Sequence, residues 1–178
     1  EVLVSTTVTA YSPTLLYDGQ VHNISINKIS DIKFIITYNS DTKGIIQTAS
    51  VSSDHIFSVG YPFIFNNDMT IFSNSCYQDG NVVVIFYDID DQLKVKNCQL
   101  YDDYIAIGLP TIIKNSYCYD LNVKKLDDNY VYFSYYDADD MVISTGILKV
   151  DTDITYIDSI LSFDDWNEGL SLTTLSDT

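Results

Sequence analysis

The chain has 178 residues, 46 % of them hydrophobic, and 25 acidic residues against 9 basic ones give it a formal net charge of −16. With 15 Tyr and 8 Phe it is too apolar and aromatic for a disordered acidic tail, so one folded domain is expected. The charge repels phosphate backbones and anionic lipid, and no basic cluster exceeds Lys124-Lys125, which argues against nucleic-acid binding and membrane docking.

All the acids except Glu1 and Glu168 are Asp, which favours turns over helix interiors, and there is no Arg. No run of 18 apolar residues and no basic, apolar leader occurs, so neither a membrane span nor an attached secretory signal is expected.

In chain order, VLVSTTVTA and SPTLLYDG open the sequence as the second half of a unit that then repeats. Strands are predicted near 21–29, 32–39, 44–52 and 55–65, from β-branched and aromatic runs bounded by Asp, Asn, Ser and Gly. DIKFIITYNSD at 31–41, GNVVVIFYDID at 80–90 and NYVYFSYYDAD at 129–139 place Tyr38, Tyr87 and Tyr136 at a spacing of 49 residues. Asn39, Asp88 and Asp137 follow at the same offset, then Asp41, Asp90 and Asp139. A turn precedes each run: I-S-D at 29–31, Y-Q-D-G at 77–80 and L-D-D-N at 126–129. Pro13 and Pro62 lie 49 apart and Pro110 follows 48 later, each trailed by an apolar pair. Two landmarks with one period make tandem repetition the governing feature.

Runs such as Val82 to Tyr87 and Tyr130 to Tyr136 are apolar on both faces, as in the middle of stacked sheets. Four antiparallel strands in a 49-residue unit predict an all-β fold, a β-propeller segment of about 3.6 four-stranded blades. The expected division is a partial blade at 1–18, blades at 19–67, 68–116 and 117–165, and the start of a further blade at 166–178. Since closed propellers have four or more blades, the chain is expected to continue past Thr178, or two copies share a ring of about seven.

ISDIKFIITYNSD, LDDNYVYFSYYDAD and LSLTTLSDT, with the prolines between them, make the chain resemble the β-propeller repeats of phage tail-fibre and related surface-attachment proteins. The resemblance implies a virion or cell-surface module that recognises a host surface or holds other fibre parts, and it transfers no catalytic residue. WD-type repeats fit worse, because Trp166 is the only Trp.

The most tempting chemical feature is the repeated acid: Asp88, Asp90 and Asp91 in one copy, Asp137, Asp139 and Asp140 in the next. D-x-D-D offers the hard oxygens that Ca²⁺ prefers, yet the spacing lacks the Gly and terminal Glu of a calcium loop, so an Asx turn outweighs an ion site. Asn39 to Gly44 is faintly similar to a sialidase Asp-box turn, but the lack of any Arg to clamp a carboxylate argues strongly against sialidase chemistry within these residues. A glycosidase needs two paired carboxylates, and only Glu168 has an aromatic neighbour, Trp166, which reads better as packing. His22 and His55 have no triad-like company. Cys76, Cys98 and Cys118 lack zinc spacing and leave the redox state open between buried thiols and one disulfide with a spare. Tyr101-Tyr104, Tyr117-Tyr119 and Tyr130-Tyr136 could line a recognition surface, although Tyr is also a favoured strand residue. Asn23-Ile24-Ser25 matches a glycosylation sequon, read as incidental.

These readings converge on a non-enzymatic, cofactor-free propeller at a virion or extracellular surface. Its partners would be other structural subunits, a host receptor such as a glycan, or another copy of itself. A carbohydrate-active enzyme with an axial site and an intracellular interaction propeller with a basic partner are the alternatives.

Overall fold

The computed structural model describes residues 15, 17–40, 42–102 and 104–150, together with the backbone of 154–163. The described residues form strands and turns with no helix, so the all-β expectation holds. β1 (Val21–Lys28), β2 (Lys33–Ser40) and β3 (Lys43–Val51) make an antiparallel meander, and β4 (Phe57–Val59) and β5 (Phe63–Asn66) both lie along β3. β6 (Thr70–Gln78), β7 (Asn81–Asp88) and β8 (Leu93–Tyr101) repeat the pattern, with β9 (Tyr104–Ile107) and β10 (Thr111–Lys114) sharing the far side of β8. β11 (Cys118–Lys125), β12 (Tyr130–Asp137), β13 (Val142–Val150) and β14 (Ile154–Phe163) form the third sheet. The fourth strand expected at 55–65 is broken in two, and the corresponding break before β10 holds Pro110. Proline has no N–H for a ladder, so Pro62 and Pro110 fall between strands at the sheet margin.

The second sheet is covered on both faces, and β7 shows why its sequence does not alternate. Val82, Val84 and Phe86 join Ile35, Ile46 and Phe65 of the first sheet. Val83, Ile85 and Tyr87 join Val123, Val131, Phe133 and Tyr135 of the third. Burial of such side chains stabilises by about 2 kcal/mol each relative to exposure, which only a strand sandwiched between two sheets can collect on every residue. A glycine relieves the first seam at one point. A Cβ on Gly44 would stand 2.3 Å from the ring of Phe65, which itself lies 5.4 Å, centroid to centroid, from Phe86. Close approach of that ring to the β3 backbone is what lets the first sheet seat on the second.

The ladders correct the sequence alignment of the first copy. Val21 pairs with Ser40, Thr70 with Asp88 and Cys118 with Asp137, so Ser40, and not Asn39, is the counterpart of the two aspartates. One residue of offset turns a side chain to the opposite face. Tyr38 accordingly packs with Ile36, Ile45 and Ala49 on the side away from the second sheet, whereas Tyr87 points onward into the third. The cause is turn length. Ser40 pairs with Lys43 across two residues, the Asp88 N–H reaches the Gln92 carbonyl across three, and Asp137 pairs with Val142 across four.

The first strand of every sheet carries a bulge at a matching place, between His22 and Ser25, Thr70 and Phe72, and Tyr119 and Asn122. Asn23 and Asp120 adopt φ of 51° and 52° there, a left-handed conformation that Asn and Asp tolerate better than most residues. Successive sheets approach most closely through these strands: β6 lies against β1 and β2, and β11 lies against β6 and β7. The outer strands of neighbouring sheets touch at far fewer points.

Candidate functional site

The two Asp-rich turns fold on their own carboxylates. Oδ1 of Asp88 accepts the Asp90 N–H at 3.2 Å, while Lys94 Nζ sits 2.5 Å from Oδ2 and 3.8 Å from Asp90. The Tyr87 hydroxyl donates to Asp91. In the next copy Oδ1 of Asp137 accepts the N–H groups of Asp139 and Asp140 at 3.1 and 3.4 Å. Lys114 Nζ lies 2.8 Å from both Asp137 Oδ2 and Asp140 Oδ2, and Asp139 accepts the Tyr117 N–H at 3.4 Å. The Asx-turn geometry foreseen for these positions is therefore present. An ammonium stands beside each buried carboxylate, where a bound cation would otherwise have to sit. Among the described residues no three His, Cys, Asp or Glu side chains are grouped to hold a metal ion.

Burial pushes the Asp137 carboxyl up, but the Lys114 bond and the Asp140 N–H outweigh it and hold the group below its ordinary value. Lys114 is held above its ordinary value by hydrogen bonds to Asp137 and then Asp140. Because Lys114 is on β10 and Asp137 on β12, this pair also fastens the second sheet to the third. Lys96 fastens the first seam. Its Nζ donates to the Phe65 carbonyl at 2.5 Å and stands 5.7 Å from the centre of the Phe86 ring, and burial lowers its pKa.

A second group of polar residues gathers along the first strands. Asn23 Nδ2 donates to the Ile71 carbonyl at 2.8 Å, Asn74 Nδ2 to the Leu121 carbonyl at 2.9 Å, and Asn27 Nδ2 to Ser75 Oγ at 2.9 Å. Thr37 and Ser75 hydroxyls meet at 2.8 Å, and Ser73 donates to Asn39 at 2.6 Å. A cleft of about 380 Å³ runs across β1, β6 and β11 and is lined by Asn23, Ser25, Phe72, Asn74, Asp120 and Asn122. The Asp120 carboxylate is exposed at this cleft, while Nδ2 of Asn23 and of Asn74 is donated to the neighbouring sheet. Sequence reasoning did not single out this cleft. The period-two polar spacing of Asn23, Ser25 and Asn27, echoed by Ser73 and Ser75, was its available signal.

The tyrosine clusters divide. Tyr117, Tyr119 and Tyr136 join Phe72 and Tyr87 in one group of rings spanning the second and third sheets, with the Tyr119 and Tyr136 centroids 4.8 Å apart. Tyr101 and Tyr104 are exposed, and Tyr104 stands edge-on to Phe63 at 5.5 Å. His22 is exposed on β1 and His55 in the turn between β3 and β4. Cys76, Cys98 and Cys118 are buried free thiols, pushed up by burial to about 12, 12 and 11. The amide nitrogen of Asn23, the sequon position, is spent on Ile71. Asp41, Trp166 and Glu168 lie outside the described residues. No protein family, curated protein or solved structure matches the chain.

Proposed function

We propose that this chain is a propeller-type repeat module whose work is architecture or attachment in a virion fibre or another extracellular surface assembly. The observation that carries this reading is where the chemically able side chains are used. Asp88 and Asp137 are spent on turns and lysines, and the amides of Asn23 and Asn74 are spent on the neighbouring sheet. Hydrolysis of a glycoside needs a pair of carboxylates facing one substrate, with one of them kept protonated. Among the described residues the buried carboxylates, Asp88 and Asp137, face lysine ammoniums.

Support for the propeller as the arrangement comes from three sheets of one strand order, closest at their first strands and sparser in contact at their margins. On this reading the cleft over β1, β6 and β11 lies near the axis. Fractionating the native source tests the function. The expected result is co-sedimentation with virions or shed surface particles, with saturable binding of the purified chain to the surface those particles engage. A chain that stays in the soluble cytosolic fraction and binds no surface saturably overturns the proposal.

A further inference from the structure

The seam between the first and second sheets ends, beside Gly80, in a cavity of about 350 Å³. One wall comes from the first sheet. Lys33 pairs with Ser50 and Ile35 with Thr48, and because Ile35 is buried against the second sheet, Lys33, Ser50 and Thr48 share the face turned that way. Ser58 on β4 pairs with Ser50, their hydroxyls 2.9 Å apart, so the oxygen that accepts keeps its own proton for another group. Tyr77 and Leu100, packed on the core of the seam, form the facing wall, with exposed Asp102 beside them. The Tyr77 hydroxyl accepts the Gly80 N–H at 3.0 Å and also retains a proton to donate.

Amides fill the same place in the second seam. Asn81, Asn97 and Gln99 hold the ladder positions of Lys33, Thr48 and Ser50. There Asn97, 3 % exposed, donates its amide to Asn81 at 2.9 Å, and Gln78, which pairs with Asn81, is 1 % exposed. The cavity is therefore not the common outcome of twisted sheets diverging at their ends. It follows from a lysine and two short hydroxyl side chains standing where the next copy has amides.

We propose that this cavity binds a small zwitterion, an α-amino acid with an aromatic side chain, its carboxylate at Lys33 and the serine hydroxyls and its ammonium at Asp102. The volume lies at the small end for ligand sites and suits a metabolite better than a polymer. Lys33 and Asp102 bring opposite charges to facing walls, and among the described residues neither side chain has a hydrogen bond or an ion pair. A ligand carrying both charges satisfies the two together. Having no net charge, it also escapes the repulsion that a chain of −16 exerts on an anion. The Tyr77 ring and Leu100 offer its side chain an apolar surface on which to stack. This site is separate from the cleft over β1, β6 and β11 and does not depend on the attachment reading.

Isothermal titration of the full chain with L-phenylalanine tests the proposal, with phenylalaninamide and 3-phenylpropionate as probes that each lack one of the two charges. L-Phenylalanine should bind with Kd on the order of 0.1–1 mM, and each single-charge probe about 10-fold more weakly or worse. Asp102→Asn should weaken L-phenylalanine by about 10-fold and leave 3-phenylpropionate unchanged, whereas Lys33→Met should weaken it as much and leave phenylalaninamide unchanged. The triple variant Lys33→Asn, Thr48→Asn, Ser50→Gln copies the amides of the second seam. It should abolish binding while the urea midpoint stays within about 0.5 M of the parent, which separates loss of the site from loss of the fold. No heat with L-phenylalanine up to about 20 mM, single-charge probes that bind as tightly, or undiminished binding by the triple variant overturns the proposal.

Discussion

Replacing Lys94 by Met should unfold much of what the Asp-rich turn at Asp88 secures. The Asp88 side chain is 0 % exposed and that of Lys94 13 %, with Nζ 2.5 Å from Oδ2, so removing the ammonium leaves a buried carboxylate with only the Asp90 N–H on its other oxygen. Breaking such a pair from one side costs roughly 3 kcal/mol, because the desolvation of the remaining charge is no longer offset. Asp88→Asn should cost less, about 1–2 kcal/mol, since the amide keeps the turn-forming oxygen and Lys94 still has Asp90 within 3.8 Å. The double variant should recover to within about 1 kcal/mol of the parent, which is the signature of coupling. Urea unfolding followed by tyrosine fluorescence reads all three. At a slope of about 2 kcal/mol/M, Lys94→Met lowers the midpoint by roughly 1.5 M. Additive single effects, or a Lys94→Met shift below about 0.3 M, would refute the argument that the ammonium neutralises a buried charge.

Acid should expose the companion pair. Asp137 is held below its ordinary pKa, so its contribution is complete above the unfolded value of about 3.9 and disappears as pH falls through the lowered folded value. The stability gap between the parent and Asp137→Asn, measured in urea, should therefore be wide at pH 7 and close toward pH 2; a gap that widens in acid contradicts the assignment. Lys114 is held above its ordinary value, so its share persists through neutral pH and is lost only in strong alkali. Millimolar calcium should move the melting temperature by less than about 1 °C, because Asp88 and Asp137 already bind lysine and backbone N–H groups; a rise of several degrees would restore the ion site. A thiol reagent at pH 8 should label Cys76, Cys98 and Cys118 slowly in the folded chain and promptly in denaturant, since burial keeps each a neutral thiol; rapid native labelling of any one would show that its surroundings open.

Much of the fold is written in local chemistry. Asp79-Gly80 carries the positive φ values of a tight hairpin, and Lys28 with Asp31 and Lys125 with Asp128 close the equivalent turns through matching ion pairs at 2.7 and 2.9 Å. Val82 to Tyr87, apolar on every residue, states in advance that its sheet is covered twice. The Asx turns at Asp88 and Asp137 were equally legible, since a short side chain bonding two residues onward needs nothing from the rest of the molecule.

Other properties came only with the packed chain. Register across a sheet depends on turn length, and a single residue fewer after Ser40 sends Tyr38 to the opposite face from Tyr87 although the two are 49 residues apart in matching strings. The partners of Lys96 and Lys114, the amide bridges of Asn23 and Asn74, and the cleft those amides border join residues brought together by sheets stacking on one another. Sequence by itself determined the strands, their turns and the two-sided burial of the middle sheet, because hydrogen-bonding capacity and hydrophobic period are properties of neighbours along the chain. Tertiary structure decided which face each repeat presents and which charges are neutralised, because both depend on distances between residues far apart in sequence.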